Sequence, residues 1–536
     1  MQGPVGPAAP HLDAVEAKLR EVSPGLEGET WQRTHGNELS RASGDPAGWL
    51  LQNPGCWGDP KCVRRPGTER LLDRTLEHVS RATRTVDISS LEPFPDGTFL
   101  DTLVAGLHAA TAAGHHLKMR VLVGGPVSLG AANDPVKFRD ILVDRLGGAA
   151  SDVDLTVATT ATDDPALSWN HSKLVVVDGI TVIAGGINQW AGDYLDPPDP
   201  VIDVDLALRG PAAAPAGRFL DGLWSWVCEH RGIDTGSAGP LPGLATGSSG
   251  GSSGFGPSLG YSVVATSEGA DCLPRLEQDS NPEPDPVPGG VPVIAVGGRG
   301  VSLGRGDKSS DYDPRRPDAE AAGCFGAANL GHDYFNDDRE YDTANPDSSA
   351  QRALVASAQR HIEISQQDLL GPCPLFTKYD VRLFDILAAK LASGVKVRIV
   401  VSDPANHFPP GGYSNMGSLS DLSDVLLERL RLRTGGDDSA RTAMCKNLQL
   451  ASVRAADAPT WDGGKHYRQH TKLISVDRAA FYIGSKNLYP AYLQEFGYIV
   501  ESPKAAAQLD ADLLAPQWKY SQATANVDYA KGACPR

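Results

Sequence analysis

The chain has 536 residues, well beyond one typical domain of about 150, and its 41% hydrophobic and 21% charged residues count against a disordered chain. Its 66 acidic residues against 49 basic ones leave a net charge of −17, which argues against general nucleic-acid binding and against a polybasic grip on anionic membranes. No run of about 18 apolar residues occurs, so no transmembrane helix is predicted.

In chain order, the opening MQGPVGPAAP lacks the basic and apolar regions of a signal peptide. Arg84–Ser89 reads as a strand, followed by an amphipathic helix near 98–114 and a second strand, Leu117–Val123. His115 and His116 follow that helix, where imidazoles commonly meet free carbonyls. Residues 236–259 are dominated by Gly, Ser and Pro, and 281–292 alternate Pro with acid, so 236–320 reads as a linker. The glycine-rich Gly298–Gly306 follows a poor strand signal and reads as a loop, as does Arg305-Gly306-Asp307. Beyond the linker the order repeats: strand Arg360–Ser365, a helix near 380–393, strand Val395–Val401. The expected organisation is therefore 1–235, linker 236–320, and 321–536, an internal duplication. The expected class is α/β: two homologous α/β/α sandwich lobes with mixed, mostly parallel sheets and one active site at their interface.

The strongest repeat is His171-Ser-Lys173-Leu-Val-Val-Val-Asp178 with His470-Thr-Lys472-Leu-Ile-Ser-Val-Asp477, both HxKxxxxD. Gly185-Gly186 and Gly484-Ser485 then start at one common offset, and Asn188 and Asn487 share another. In an extended segment side chains alternate, so each histidine and its lysine point the same way. A turn at Asp178-Gly179 and a return along Thr181–Ala184 bring Gly185 and Asn188 back beside the histidine. Two such surfaces face to face would surround one tetrahedral anion with two imidazoles, two cations and two amides, the requirements of a phosphodiester site. Asp178 and Asp477 lie an odd number of residues beyond their histidines, and structural salt bridges are expected of them.

The duplicated motif resembles that of the phospholipase D superfamily. Pro54–Gly58, Trp169–Lys173, Ile364-Ser-Gln-Gln-Asp368 and Gly484–Pro490 are similar to the secreted actinomycete (Streptomyces-type) branch, with a resemblance running from about residue 11 to 536. The resemblance implies a phosphodiesterase that hydrolyses phosphatidylcholine and related lipids to phosphatidic acid and free alcohol, with transphosphatidylation to other alcohols, through a phosphohistidine. It implies His171 as nucleophile and His470 as general acid/base, roles between which the symmetric sequence itself does not choose. Lys173, Lys472, Asn188 and Asn487 would bind phosphoryl oxygens. Asp203 and Glu495, each opening the next strand after its motif, look like the acids that orient the histidines. Trp190, Tyr194 and Tyr413 would line a headgroup pocket, because a quaternary ammonium favours aromatic faces. The loops at 125–136 and 403–419 would meet the lipid surface. No cofactor or metal is required: no HExxH or closely paired Cys-His spacing is present.

Cys56, Cys62, Cys228, Cys272, Cys324, Cys373, Cys445 and Cys534 form an even, scattered set, read as up to four disulfides, and sequential pairing would keep each within one half. Disulfides point to an exported protein. The partners expected are a phospholipid at a membrane, micelle or vesicle surface and water or a small alcohol, with no nucleic acid and no protein partner, the chain acting as a monomer. A nuclease could use the same paired motif but would need a basic stripe. A membrane-embedded synthase would need transmembrane segments, and a silent lipid-binding module would not need both motifs intact. Asp205 has a plain alternative role, capping or solvating its strand.

Overall fold

The computed structural model describes residues 8–39, 48–124, 134–161, 169–233, 261–268, 270–276, 286–300, 343–371, 379–407, 413–491 and 493–534. The first-half strands are β1 (Trp31–Leu39), β2 (Leu50–Asn53), β3 (Thr85–Leu91), β4 (Leu117–Gly124), β5 (Val153–Ala161), β6 (Leu174–Val177), β7 (Thr181–Gly185), β8 (Asp203–Arg209) and β9 (Arg231–Ile233). There follow β10 (Tyr261–Thr266), β11 (Val291–Arg299), β12 (His361–Gln366), β13 (Lys396–Val401), β14 (Leu448–Ser452), β15 (Lys472–Val476), β16 (Ala480–Gly484), β17 (Gln494–Glu501) and β18 (Val527–Asp528).

One sheet runs β9-β10-β5-β4-β3-β6-β7-β8-β2, the other β18-β14-β13-β12-β15-β16-β17-β11-β1. The segment β5-β4-β3-β6-β7-β8 of the first recurs as β14-β13-β12-β15-β16-β17 in the second, with the same sense at every pairing. Helical crossovers, Gly97–Ala112 and Pro135–Leu146 in one copy and Val381–Ala392 in the other, keep β3-β4-β5 and β12-β13-β14 parallel. The motif strands instead return through three-residue turns, so their pairings are antiparallel, and the sheets hold more antiparallel than parallel pairings rather than being mostly parallel.

Apolar side chains on the outer face of each sheet meet its helices: Val86, Ile88, Val175 and Val177 lie in one core, Ile362, Ile364, Ile474 and Val476 in the other. Phe219 and Trp224 of the helix Ala213–Glu229 join Leu206, Phe481, Phe496 and Tyr498 in a third core shared by both halves.

Two expectations about domain boundaries are corrected. The segment 236–320 is not simply a linker, because β10 lies along β5 and β11 between β17 and β1. Pro292 and Gly297-Gly298 obscured β11, whose Val293, Ile294, Ala295 and Val296 are fully buried. Nor do residues 1–235 all belong to the first lobe. The helix Pro10–Val22 puts Leu12, Val15 and Leu19 into the core with Leu354 and Val355, and the Leu12 amide donates to Glu501 at 2.9 Å. An amphipathic helix goes where an apolar face awaits it, whatever its place in the sequence.

Disulfides join Cys56 to Cys62, Cys228 to Cys272 and Cys445 to Cys534, as sequential pairing expects. Cys324 and Cys373 lie outside the described residues, as do Arg305-Gly306-Asp307, 125–133 and 408–412. No helix among the described residues is long and apolar enough to cross a membrane.

Candidate active site

The motif segments enter β6 and β15 from the edge where the two sheets meet. The His171 amide donates to the Gln494 carbonyl and the His470 amide to the Ile202 carbonyl, both at 2.8 Å. In return the Gln494 amide reaches the Trp169 carbonyl at 3.0 Å and the Ile202 amide the Arg468 carbonyl at 2.8 Å. These bridges run the start of β17 beside the first motif and the start of β8 beside the second.

The carboxylates are consequently crossed. Glu495, from the second half, places its oxygens 2.9 and 3.0 Å from His171 Nδ1, and Asp203, from the first half, lies 2.9 Å from His470 Nδ1. The imidazole centroids are 6.2 Å apart with planes at 76°. With Nδ1 held by a carboxylate on both rings, Nε2 is the nitrogen left for chemistry. His470 Nδ1 also faces the Gly186 carbonyl at 3.1 Å and the Tyr194 hydroxyl at 3.3 Å, and that hydroxyl donates to Asp203 at 3.0 Å. On the other side Ser485 donates to Glu495 and accepts from the Phe496 amide at 3.0 Å.

Lys173 and Lys472 fold back so that each Nζ donates to its own histidine's carbonyl, at 2.6 and 2.5 Å. Asn188 and Asn487 are buried, and the Oδ1 of each lacks a hydrogen-bond partner among the described residues. Glycine is required beside them: a Cβ at Gly185 would collide with Asp205 and one at Gly186 with the Asp203 carboxylate, while one at Gly484 would strike Tyr482.

Burial dominates the electrostatics. It lowers His171 well below the ordinary imidazole range, helped by Lys173, Lys472 and Lys486, and lowers His470 to about 3, helped by Lys472 and opposed by Asp203. It also pushes Glu495 up to about 7, against the attraction of Lys486 and Lys173. Lys173 falls to about 7 and Lys472 well below its usual value for the same reason. Burial thus favours the neutral form of both imidazoles and of both lysines, and an anion entering between them would draw protons back onto these groups.

Other expected residues take different places. Tyr194 is fully buried, its hydroxyl engaged by the Asp203–His470 pair, rather than presenting an open aromatic face. Tyr413 stands edge-on to His470 at 5.6 Å and donates to Asp193 at 2.7 Å. Trp190 is half-buried, with its indole N–H on the Pro93 carbonyl at 3.1 Å. Asp205 is buried rather than solvated, accepts the Ile187 amide at 3.0 Å, and is pushed well above the carboxylate range by burial and by Asp203. His116 lies 3.2 Å from Asp154 at the surface, away from the histidine pair.

Among the described residues the one ion pair of either motif aspartate is Asp477 with His11 at 3.8 Å, and neither Asp178 nor Asp477 forms a salt bridge with a lysine or arginine. They occupy left-handed turn positions, φ 54° and 53°, and accept backbone amides: Thr83, Arg84 and Thr85 for the first, Gln359, Arg360 and His361 for the second. Strand alternation gave them a face, but the strand has ended where they stand. Residues missed from the sequence include Lys486, buried 3.9 Å from Asp347, whose signal was its place between Ser485 and Asn487.

A family model described as cardiolipin synthase, PLD-like domain, matches residues 352–515. Phospholipase D of Streptomyces antibioticus is 53% identical over 522 residues, 97% of this chain and 89% of that protein. The solved structure of phosphatidylserine synthase from Haemophilus influenzae aligns with a TM-score of 0.50 over 96% of this chain and 92% of its own, at 14% identity, a likeness of fold alone. Identity at more than half of the aligned positions along almost the whole length, together with the paired histidines at the junction of two repeated sheets, shows that the chain belongs to the phospholipase D family.

Proposed function

We propose that this protein hydrolyses phosphatidylcholine and related phospholipids to phosphatidic acid and the free headgroup alcohol, and transfers the phosphatidyl group to other alcohols, through a covalent phosphohistidine. The crossed pair of carboxylate-held imidazoles, 6.2 Å apart between buried lysines, carries the reading. His171 Nε2 attacks phosphorus as a neutral imidazole, the state its burial favours. The P–N bond forms as the P–O bond to the headgroup breaks, and the departing oxygen takes the Nε2 proton of His470. Burial, then Lys472, disfavours a proton on His470, and the negative charge of the entering phosphodiester works against both, so that the ring takes its proton from solvent as substrate binds. It then removes the proton of water or an alcohol, whose oxygen attacks phosphorus and releases His171. Lys173, Lys472, Asn188 and Asn487 hold the non-bridging oxygens throughout.

Tyr413 and Trp190 form the headgroup wall. Residues 403–407 and 413–418, the described parts of the second expected rim, meet the lipid surface. Three disulfides support an exported protein, and a site completed within one chain supports a monomer. The test measures choline release from phosphatidylcholine micelles beside cleavage of single-stranded DNA. Choline release without DNA cleavage is expected, together with phosphatidylethanol when ethanol is present; the reverse pattern would point to a nuclease.

A further inference from the structure

The strands flanking the motifs contribute one more matched pair of side chains. Register sets Gln366 of β12 opposite Lys472 of β15, and Ser89 of β3 opposite Leu174, which brings Ser90 opposite Lys173. Residues directly opposed in an antiparallel pair point to the same face, so Gln366 shares the face of Lys472 and His470, and Ser90 that of Lys173 and His171. The preceding residues point the other way and satisfy each other: Ser365 Oγ with Thr471 Oγ1, and Ser89 Oγ with Ser172 Oγ, both at 2.8 Å. The main chain at both positions is also matched, with Gln469 Nε2 donating to the Gln366 carbonyl at 2.8 Å and Asn170 Nδ2 to the Ser90 carbonyl at 3.0 Å.

The side chains are the exception. Gln366 is 0% and Ser90 1% exposed, yet Gln366 Nε2 and Oε1 and Ser90 Oγ have no hydrogen-bond partner among the described residues. Buried polar atoms are ordinarily paired, and unpaired ones are unfavourable. The Oδ1 atoms of Asn188 and Asn487, one in each motif segment, are likewise buried and without a partner among the described residues. Unsatisfied polar groups at matched places in two lobes, beside both motif lysines, describe a site whose missing partner is the ligand.

We propose that Gln366 and Ser90 are further substrate-binding residues of the phosphodiester site, the Gln366 amide donating to a phosphoryl oxygen on the His470 side and the Ser90 hydroxyl on the His171 side. This rests on the reading of the site given above. The two lobes then differ in chemistry where their backbones match, because an amide offers two donors and an acceptor and a hydroxyl offers one donor.

Orthovanadate, a tetrahedral oxyanion, tests the pair in the full chain without requiring turnover. For Gln366→Leu we expect vanadate affinity to weaken about tenfold, with a smaller loss for Ser90→Ala, and kcat/KM to fall in parallel. The ligand-free melting temperature should stay level or rise, because an unpartnered buried amide is exchanged for an apolar group of similar volume. A fall in that temperature with vanadate affinity unchanged would overturn the proposal and make Gln366 structural. Should Gln366→Leu fail to fold, Gln366→Glu keeps the shape and adds a repelling charge; more than about tenfold weaker vanadate binding supports the assignment and unchanged binding overturns it. If the unmodified chain binds no vanadate, the phosphodiester reading falls and the proposal with it; if it binds and the variants bind equally, only the proposal falls.

Discussion

Both rings meet a carboxylate and a backbone group from the opposite half, His171 with Glu495 and Ser485 and His470 with Asp203 and Gly186, and the Tyr194 hydroxyl stands beside His470 Nδ1 in addition. Removal of a nucleophile and removal of an acid leave different remnants, so the two alanine variants should separate the roles. Given a phosphatidyl p-nitrophenol substrate, whose leaving group needs no proton, we expect His470→Ala to release up to one equivalent of p-nitrophenol and stall with the phosphatidyl group on His171. His171→Ala should give no burst; mass spectrometry at mildly alkaline pH that finds the phosphatidyl group on His470 in that variant would exchange the assignments. Glu495 adds a pH dependence. Burial raises it from 4.5 to about 7, so between those values the folded chain keeps a proton that the unfolded chain has lost. Its contribution to stability is full below 4.5 and declines as pH rises through about 7. Glu495→Gln should flatten that slope in denaturant midpoints between pH 4 and 8, and lower kcat on the order of 10^3-fold, because a neutral amide that can also turn its NH2 toward Nδ1 no longer fixes the imidazole in one tautomer or stabilises its positive charge. A slope identical to that of the unmodified chain would mean that the neighbouring lysines keep the carboxylate ionised.

Each motif hairpin is fastened by its terminal aspartate to the strand beside it, three backbone amides per carboxylate. Asp178→Ala leaves the Thr83, Arg84 and Thr85 amides without their acceptor, and we expect a loss of about 2 to 4 kcal/mol in unfolding free energy with kcat of the folded protein nearly unchanged. A variant of undiminished stability but depressed kcat would instead place Asp178 in the chemistry. The central elements were legible beforehand: β3, β4, β12 and β13, the two crossover helices and the motif hairpins all carry local periodicity in a repeated order. β10 and β11 were not, because each lies among Gly and Pro and owes its existence to strands far away in sequence, β5 for one and β17 for the other. Gln366 was visible within Ile364–Asp368 but carried no sign of its role, since that role depends on register against Lys472. The aspartates were misread through strand parity, which stops applying once φ turns positive.

On the scale of the whole chain, the crossing of Asp203 and Glu495 could not be read from a sequence whose halves are alike; only the packing of one sheet against the other decides which acid meets which histidine. Because one chain completes one site, mixing full-length His171→Ala with full-length His470→Ala should restore no more than about 1% of normal turnover. Substantial recovery, accompanied by a dimer in sedimentation, would mean that the site is assembled between chains. The last consequence belongs to β1, which pairs with β11 in the second sheet through Trp31–Asn37 and with β8 in the first through Glu38 and Leu39. A single strand stitched into both sheets cannot leave one without straining the other, so lobe separation and loss of sheet order become one event. The molecule thus has the logic of an AND gate: a copy in which either lobe has come undone falls silent, with no half-assembled site left to attack bystander esters.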